Sequence, residues 1–332
     1  MRYCAPTDAW GGIGTWSSWE GHTVRKNIGI VVIGLSGFLL LIGLLTVAWA
    51  PGKLEKTPLD VDSVTRLEGT VAKVDSSTGE LGETQPVLAT SITKIDSNAS
   101  DDDVAVWTST SCVVIDEDDP ADCLEGTDPR LVTASTDVFA TDRVTGLAVA
   151  GDRYLPAGAS SGEGLRNKWP FDAEKRTYPY WDGTLGAAVE ATYDREETIE
   201  GVQTYVYLVE ISDADAEISE GLQGTYSSVK EIFVEPITGS ILNQTDDQQR
   251  YLADGTQVLD LQLAFTPEQI EAGAADTKDN IAGLNLITRT VPMIGFIGGA
   301  VLLLLGLFLA TRGGTPPASR TRATRREPVG VK

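Results

Sequence analysis

Two uncharged apolar runs near the ends of the chain limit what everything between them can be. Ile28 to Ala50 reads IGIVVIGLSGFLLLIGLLTVAWA and Val291 to Ala310 reads VPMIGFIGGAVLLLLGLFLA. About 20 apolar residues in a helix span the ~30 Å hydrocarbon core of a bilayer, and soluble core helices seldom run so far without a polar break. Both runs are expected to be transmembrane helices, with the lipid bilayer as first partner. Arg25 and Lys26 precede the first run; Arg312, Arg320, Arg322, Arg325, Arg326 and Lys332 follow the second. Short cationic flanks stay in the cytoplasm. The expectation is a two-span protein of the cell membrane with both termini cytoplasmic and its main domain extracytoplasmic.

Ala48-Trp49-Ala50 has the small-x-small form of a signal-peptidase site. The apolar run is longer than the 7–15 residues or so of a cleavable signal, and Pro51 directly follows the scissile position. The first helix is read as uncleaved, with Trp49 as an interfacial anchor. Gly34 and Gly37 in the first run, and the GxxxG pair Gly295 and Gly299 in the second, are candidate helix-packing positions. They admit packing of the two helices on each other or on a partner's helix. Neither run has a charged residue that would mark an ion path.

Of the 48 acidic residues, all but Asp8, Glu20 and Glu327 lie within 51–290, and the whole chain has a formal charge of −22. Such a surface repels nucleic acid, so no nucleic-acid partner is expected. After Pro51 the pattern turns to period two. VLDLQLAF puts Leu259, Leu261, Leu263 and Phe265 on one face, and TYVYLVEI (Thr204 to Ile211) is β-branched and aromatic. Asp254-Gly255 reads as a hairpin turn. Thr266-Pro267-Glu268-Gln269 is a capping box with proline at the first helical position. The chain thus divides into a cytoplasmic arm (1–27), a first transmembrane helix (28–50), an extracytoplasmic β-rich domain (51–266), an amphipathic helix leading into the membrane (267–290), a second transmembrane helix (291–310) and a basic, disordered cytoplasmic tail (311–332). The fold class expected is a membrane-anchored, mainly-β (β-rich α+β) domain flanked by two transmembrane helices.

Three stretches share an acid, two residues, then Thr-Gly: VDSSTGEL, TDRVTGLA and VEPITGSI. Asp75, Asp142 and Glu235 would cap their own turns, while Gly79, Gly146 and Gly239 supply positive φ. For the first copy, chance recurrence of common turn residues explains the pattern equally well. Cys112 and Cys123 are the only cysteines in 51–290 and are read as a disulfide; Cys4 is read as a free cytoplasmic thiol.

The single histidine, His22, lies in the arm. That removes Ser-His-Asp and Cys-His catalysis and histidine-held metals from the β-rich domain. No P-loop, CxxC or GxGxxG after a strand is present. No enzyme and no cofactor is expected. The acidic clusters at Asp101 and Asp103 and at Asp116 and Asp118 (with Asp119) offer hard oxygen ligands for calcium, without EF-hand spacing; solvated charge runs are the plainer reading. The most distinctive stretch is NKWPFDAEKRTYPYWDGTLG, where Trp169, Phe171, Tyr178, Tyr180 and Trp181 crowd together. These rings suit an aromatic platform for a lipid, a sugar or a partner's anchor; the alternative is a long loop folded over the open end of the sheet.

KWPFDAEKRTYPYWDGTLG, with STDVFATDRVTG (Ser135 to Gly146) and VKEIFVEPITGSI (Val229 to Ile241), resembles an actinobacterial envelope family known as porin PorA and also as a domain of unknown function. The similarity runs roughly from Arg25 to Ala310. It implies a cell-envelope membrane protein and a cation-favouring channel, and it brings no catalytic residues. The residues favour a different emphasis. Ser36 and Thr46 are nearly the only polar side chains in the two runs, a poor lining for a water-filled pore, so a channel requires an oligomer. The reading taken forward is a non-enzymatic envelope protein whose acidic outer β-domain binds a lipid, a polymer or a membrane partner. The alternatives are an oligomeric cation channel and an accessory subunit of a larger membrane complex.

Overall fold

The alternation after Pro51 becomes one antiparallel sheet, seen in a computed structural model that describes residues 20–311 apart from 76, 119, 158, 160, 161 and 220. Cys4, Asp119 and the basic tail lie outside the described residues. The chain divides into two units, a helical one (residues up to Ala50 and from Leu286 onward) and a β unit, Pro51–Asn285.

In the helical unit, α1 (Glu20–Trp49) runs antiparallel to α4 (Val291–Thr311), with Gly29 beside Ala310 and Gly43 beside Gly295. Both are long and apolar enough to cross a membrane. A Cβ on Gly295 would lie 2.8 Å from the Leu39 carbonyl oxygen, and one on Gly299 would lie 2.7 Å from Leu40 Cγ. Gly29, Ser36 and Gly43 of α1 also lie in this contact; Gly34 and Gly37 face open space with nothing within 4 Å. The expectation for those two glycines is therefore corrected. Gly29, Ser36 and Gly43 recur every seventh residue, which returns them to one face of a helix; Gly34 and Gly37 fall off that stripe. Ser36 and Thr46 donate their hydroxyls to the carbonyls of Ile33 and Ile42, so both polar groups are satisfied within their own helix. A π-helical turn, Leu286–Thr290, precedes α4. Pro292 has no N–H to continue the regular ladder, a common cause of such a turn.

The β unit opens with the short helix α2 (Pro51–Leu54). Four strands follow: β1 (Asp62–Lys73), β2 (Gln85–Ile95), β3 (Val104–Ile115) and β4 (Leu131–Asp142). After a long connection come β5 (Tyr178–Asp182), β6 (Ala187–Ile199), β7 (Val202–Ser219), β8 (Leu222–Val234), β9 (Ile241–Leu252), β10 (Gln257–Phe265) and the helix α3 (Pro267–Asn285). The strand order is β4-β3-β2-β1-β10-β9-β8-β7-β6-β5. Every neighbour is consecutive in sequence except β1 and β10, which pair with Leu67 opposite Phe265 and Lys73 opposite Leu259. Two meanders thus meet at a central seam, and β4 and β5 are the edges.

Those edges are joined at one end by the segment between them, which makes the sheet a half-barrel. Thr141 bridges Ala148, Leu147 bridges Leu165, and Leu165 bridges Tyr180. The Leu165 amide donates to Pro179 at 2.7 Å and its carbonyl accepts from Trp181 at 2.8 Å. The largest core cluster lies at this end: Trp169 and Tyr207 are fully buried, with ring centroids 5.1 Å apart. Each such ring contributes roughly 1.5–3 kcal/mol by burial, and each ring pair about 0.5–1.5 more. The helix α3 starts with half of the expected capping box: Gln269 N–H donates to Thr266 Oγ1 (3.2 Å), while the Gln269 side chain accepts from Arg66 N–H (3.2 Å) and the Thr266 N–H donates to the Arg66 carbonyl (3.1 Å). Its buried Ala274 packs with Val202 and Leu242.

Candidate functional site

The concave face of the sheet lines a half-open cavity of about 900 Å³ within the β unit. Its wall follows from strand register. Ser63, Thr93, Ser109 and Asp137 stand opposite one another across β1 to β4, and one pleat along, Thr65, Ser91, Ser111 and Ser135 do the same. Because alternate residues share a face, these two rows form a polar band on the inside of the sheet. The hydroxyls bond to each other, Thr93 to Ser109 at 3.1 Å and Ser111 to Ser91 at 3.1 Å. Apolar rows bound the band: Val61, Trp107 and Phe139 at one end, Leu67 and Phe265 at the other. The facing walls come from Tyr180 and Trp181, from Thr238 to Leu242, and from the Gln269–Thr277 side of α3.

Two of the four cations that line the cavity, Arg166 and Lys168, lie on the segment that joins the sheet edges. Arg166 pairs with Asp137 and sits 4.2 Å from the Phe139 ring and 5.0 Å from the Trp181 ring, so one guanidinium touches both β4 and β5. Its Nη1 is buried with no hydrogen-bond partner. Lys168 Nζ stands 3.3 Å from the Phe171 ring centroid and 3.4 Å from Thr57 Oγ1, and burial lowers its pKa to about 7. Lys230, by contrast, is ion-paired at 3.2 Å with the buried Asp246, which also accepts from Ser228.

Two of the Thr-Gly turns hold this segment in place. In all three, the glycine amide donates to the carbonyl of the acid, whose own amide donates to the residue after the glycine. The acid's carboxylate also accepts from the amide two residues on, at Ser77, Val144 and Ile237. Gly79, Gly146 and Gly239 have φ of 72°, 71° and 74°. A Cβ on Gly146 would lie 2.8 Å from the Lys168 carbonyl oxygen, and one on Gly239 would lie 2.1 Å from that of Trp169. A fourth turn of this kind, Asp182 to Gly186, lacks the Thr-Gly pair that marks the other three in sequence, though its acid and glycine keep the same spacing.

The aromatic stretch is not an exposed platform, which corrects that expectation. Trp169, Tyr178 and Tyr180 are buried, at 0%, 3% and 7% exposure. The backbone is stitched to the β8–β9 turn by Trp169 N–H to Gly239 (3.0 Å) and Ala173 N–H to Pro236 (2.7 Å), which turns these rings into the core. Phe171 and Trp181 are half-buried and line the cavity.

Cys112 and Cys123 form a disulfide with Cα atoms 5.4 Å apart. It pins the acidic loop to the outer face of the sheet, beside Asp122, which pairs with Arg66 and accepts from Thr90. The calcium candidates are otherwise engaged or open. Asp101 caps its own turn and accepts from Arg153 and Tyr154, Asp103 pairs with Lys56, and Asp116 and Asp118 are exposed. Among the described residues no three or more Asp, Glu, His or Cys side chains gather as a metal site.

A protein family described as Porin PorA matches residues 28–308. No curated protein matches the chain. Among solved structures, a triple mutant of the Rhodopseudomonas blastica porin aligns at 9% identity over 62% of this chain and 99% of that one, with a TM-score of 0.21. Aeromonas veronii immune modulator A aligns at 8% identity over 65% and 99%, with a TM-score of 0.12. Scores this low carry no argument.

Proposed function

The chain belongs to the porin PorA family, and from that premise we propose a non-enzymatic membrane protein of the cell envelope whose β unit binds an envelope lipid or polymer inside its cavity. In this reading α1 and α4 cross the membrane, both termini are cytoplasmic and the β unit is extracytoplasmic, in keeping with the cationic flanks. One observation carries the binding function: a cavity of about 900 Å³ whose wall is a hydroxyl band between apolar rows. That lining suits a ligand with both polar and apolar parts, and the volume is that of a small-molecule site. The outward face of the same sheet supports a domain bathed in water. Arg66, Glu68, Glu190 and Asp194 are exposed there, and a charge on a lipid-facing strand costs up to about 2–4 kcal/mol.

The test is to purify the full chain from its own membranes and identify co-purifying lipids and glycans by mass spectrometry. A bound species that is lost from Ser111→Trp, which fills the cavity, supports the reading. The family's name favours a second reading, an oligomeric cation channel. Planar-bilayer recording separates the two. Discrete cation-selective steps from the full chain, absent from a chain lacking 51–290, together with no co-purifying ligand, would replace the binding module with a pore.

A further inference from the structure

We infer that the cavity seats an anionic group, a phosphate or a carboxylate, on Lys168 and Arg166. The inference rests on the binding reading above and names the chemistry of the ligand. Every other cation at the cavity has a carboxylate: Lys56 has Asp103, Lys230 has Asp246 and Arg166 has Asp137. Lys168 has no ion-pair partner among the described residues; a ring face and the Thr57 hydroxyl are its nearest compensation. Thr57 already donates its own proton to the Arg143 carbonyl, so it meets Lys168 as an acceptor. An ammonium taken from water without a counter-charge is costly, and that cost falls when an anion arrives.

Arg166 supplies the second, independent observation. Its side chain is only 9% exposed, yet one guanidinium nitrogen has no hydrogen-bond partner. That nitrogen is buried on the Gly162 side; what Arg166 brings to the cavity wall is its charge, and guanidinium with ammonium is a common donor set for phosphate and carboxylate. The two residues are two apart on a segment whose backbone is packed against Gly146 and bonded to Gly239, so the pair is preorganised. The rings of Phe171 and Trp181 stand beside the cations, which fits an anion carried on an apolar body rather than a bare ion.

The experiment titrates the purified full chain, in a neutral maltoside detergent, with octyl phosphate, octanoate, octanol and inorganic phosphate by calorimetry. Octyl phosphate or octanoate is expected to bind more tightly than octanol. Lys168→Gln should weaken the anionic probes about tenfold or more, while Lys168→Arg retains them and octanol is unmoved. Phosphate and carboxylate arms tell the two sources apart. Inorganic phosphate binding as tightly as octyl phosphate would overturn the amphiphile and leave a free-anion site. Octanol binding as well as the anions, unchanged by Lys168→Gln, would overturn the anionic seat and leave the binding module standing. Silence from all four probes would overturn both. A melting curve for Lys168→Gln matching that of Lys168→Arg excludes misfolding as the cause of any loss.

Discussion

The Trp169 amide donates to the Gly239 carbonyl across 3.0 Å, and a Cβ on Gly239 would fall 2.1 Å from the Trp169 carbonyl oxygen. The turn and the tryptophan are therefore one packed object. Gly79 has nearly the same φ, +72°, with nothing within 4 Å of its missing Cβ. Gly79→Ala should cost about 1–2 kcal/mol, the left-handed strain alone. Gly239→Ala adds a backbone collision and should cost more than about 3 kcal/mol or prevent folding. Denaturant melts followed by tryptophan fluorescence check this; equal losses from the two variants would contradict the close packing.

Arg166 joins β4 to β5 through Asp137, Phe139 and Trp181. Asp137→Asn strands a guanidinium that is 9% exposed, whereas Arg166→Met leaves a carboxylate that is 39% exposed and can turn to water. Asp137→Asn is expected to lose about 1–3 kcal/mol and to exceed Arg166→Met. Amide exchange in 178–182 should rise in both variants, since that edge strand loses its tie.

The Cys112–Cys123 disulfide closes a short loop across a sequence separation of 11. Loop-closure entropy for that length is worth about 3 kcal/mol. Reductant, or the double change Cys112→Ala with Cys123→Ala, should lower the melting temperature. Acidic-loop proteolysis should accelerate, because non-covalent ties alone then hold it: Asp122 to Arg66 and Thr90, Asp116 N–H to the Pro86 carbonyl and Arg130 to the Glu117 carbonyl.

Lys168 gives a pH signature with a definite sign. Burial lowers its folded pKa to about 7 from the ordinary lysine value of 10.5. Below pH 7 both folded and unfolded chains hold the proton, and the folded state carries the full desolvation cost. Between about 7 and 10.5 the unfolded chain still holds it and the folded chain does not, so stability rises with pH. Relative to Lys168→Met, the natural chain should gain stability between pH 7 and 9; urea melts at both pH values measure the difference. Anion binding should run the other way and weaken over the same interval.

Close contact of the helices rests on Gly295 and Gly299, not on Gly34. Gly295→Leu should push α1 and α4 apart at a cost of about 1–3 kcal/mol, while Gly34→Leu should leave them unchanged. Cysteine cross-linking between the two helices in membranes reports the difference.

Much of the architecture was legible because its physics is local. Leu259, Leu261, Leu263 and Phe265 announce a strand by alternation alone, and the two apolar helices announce themselves by length. The cavity was not legible. Thr93, Ser109 and Ser135 alternate just as solvent-facing strand residues do. They become a wall only when register brings strands together and the sheet curls, and neither is a property of any single segment. The aromatic stretch failed for a related reason: ring crowding is the same in sequence whether rings face water or, as with Trp169, are drawn inward by bonds to a turn some 70 residues away. Arg166 and Lys168 gave no signal at all, since the tie of Arg166 to Asp137 and the lack of a carboxylate at Lys168 exist only in three dimensions. The heptad of Gly29, Ser36 and Gly43 was readable and would have corrected Gly34 and Gly37.

The β1–β10 seam sets a clock on the birth of this protein. Its two strands are separated by roughly 190 residues, and ribosomes add about 5–20 residues per second. For something like 10–40 seconds the first meander must wait with β1 unpaired on its inner flank. The missing partner emerges immediately before α3, with the apolar α4 close behind. Completion of the sheet and delivery of the last greasy helix thus fall in nearly the same moment of synthesis. A nascent chain stalled before residue 257 would leave an open strand exposed to any passing edge, a hazard for which a chaperone is the natural remedy.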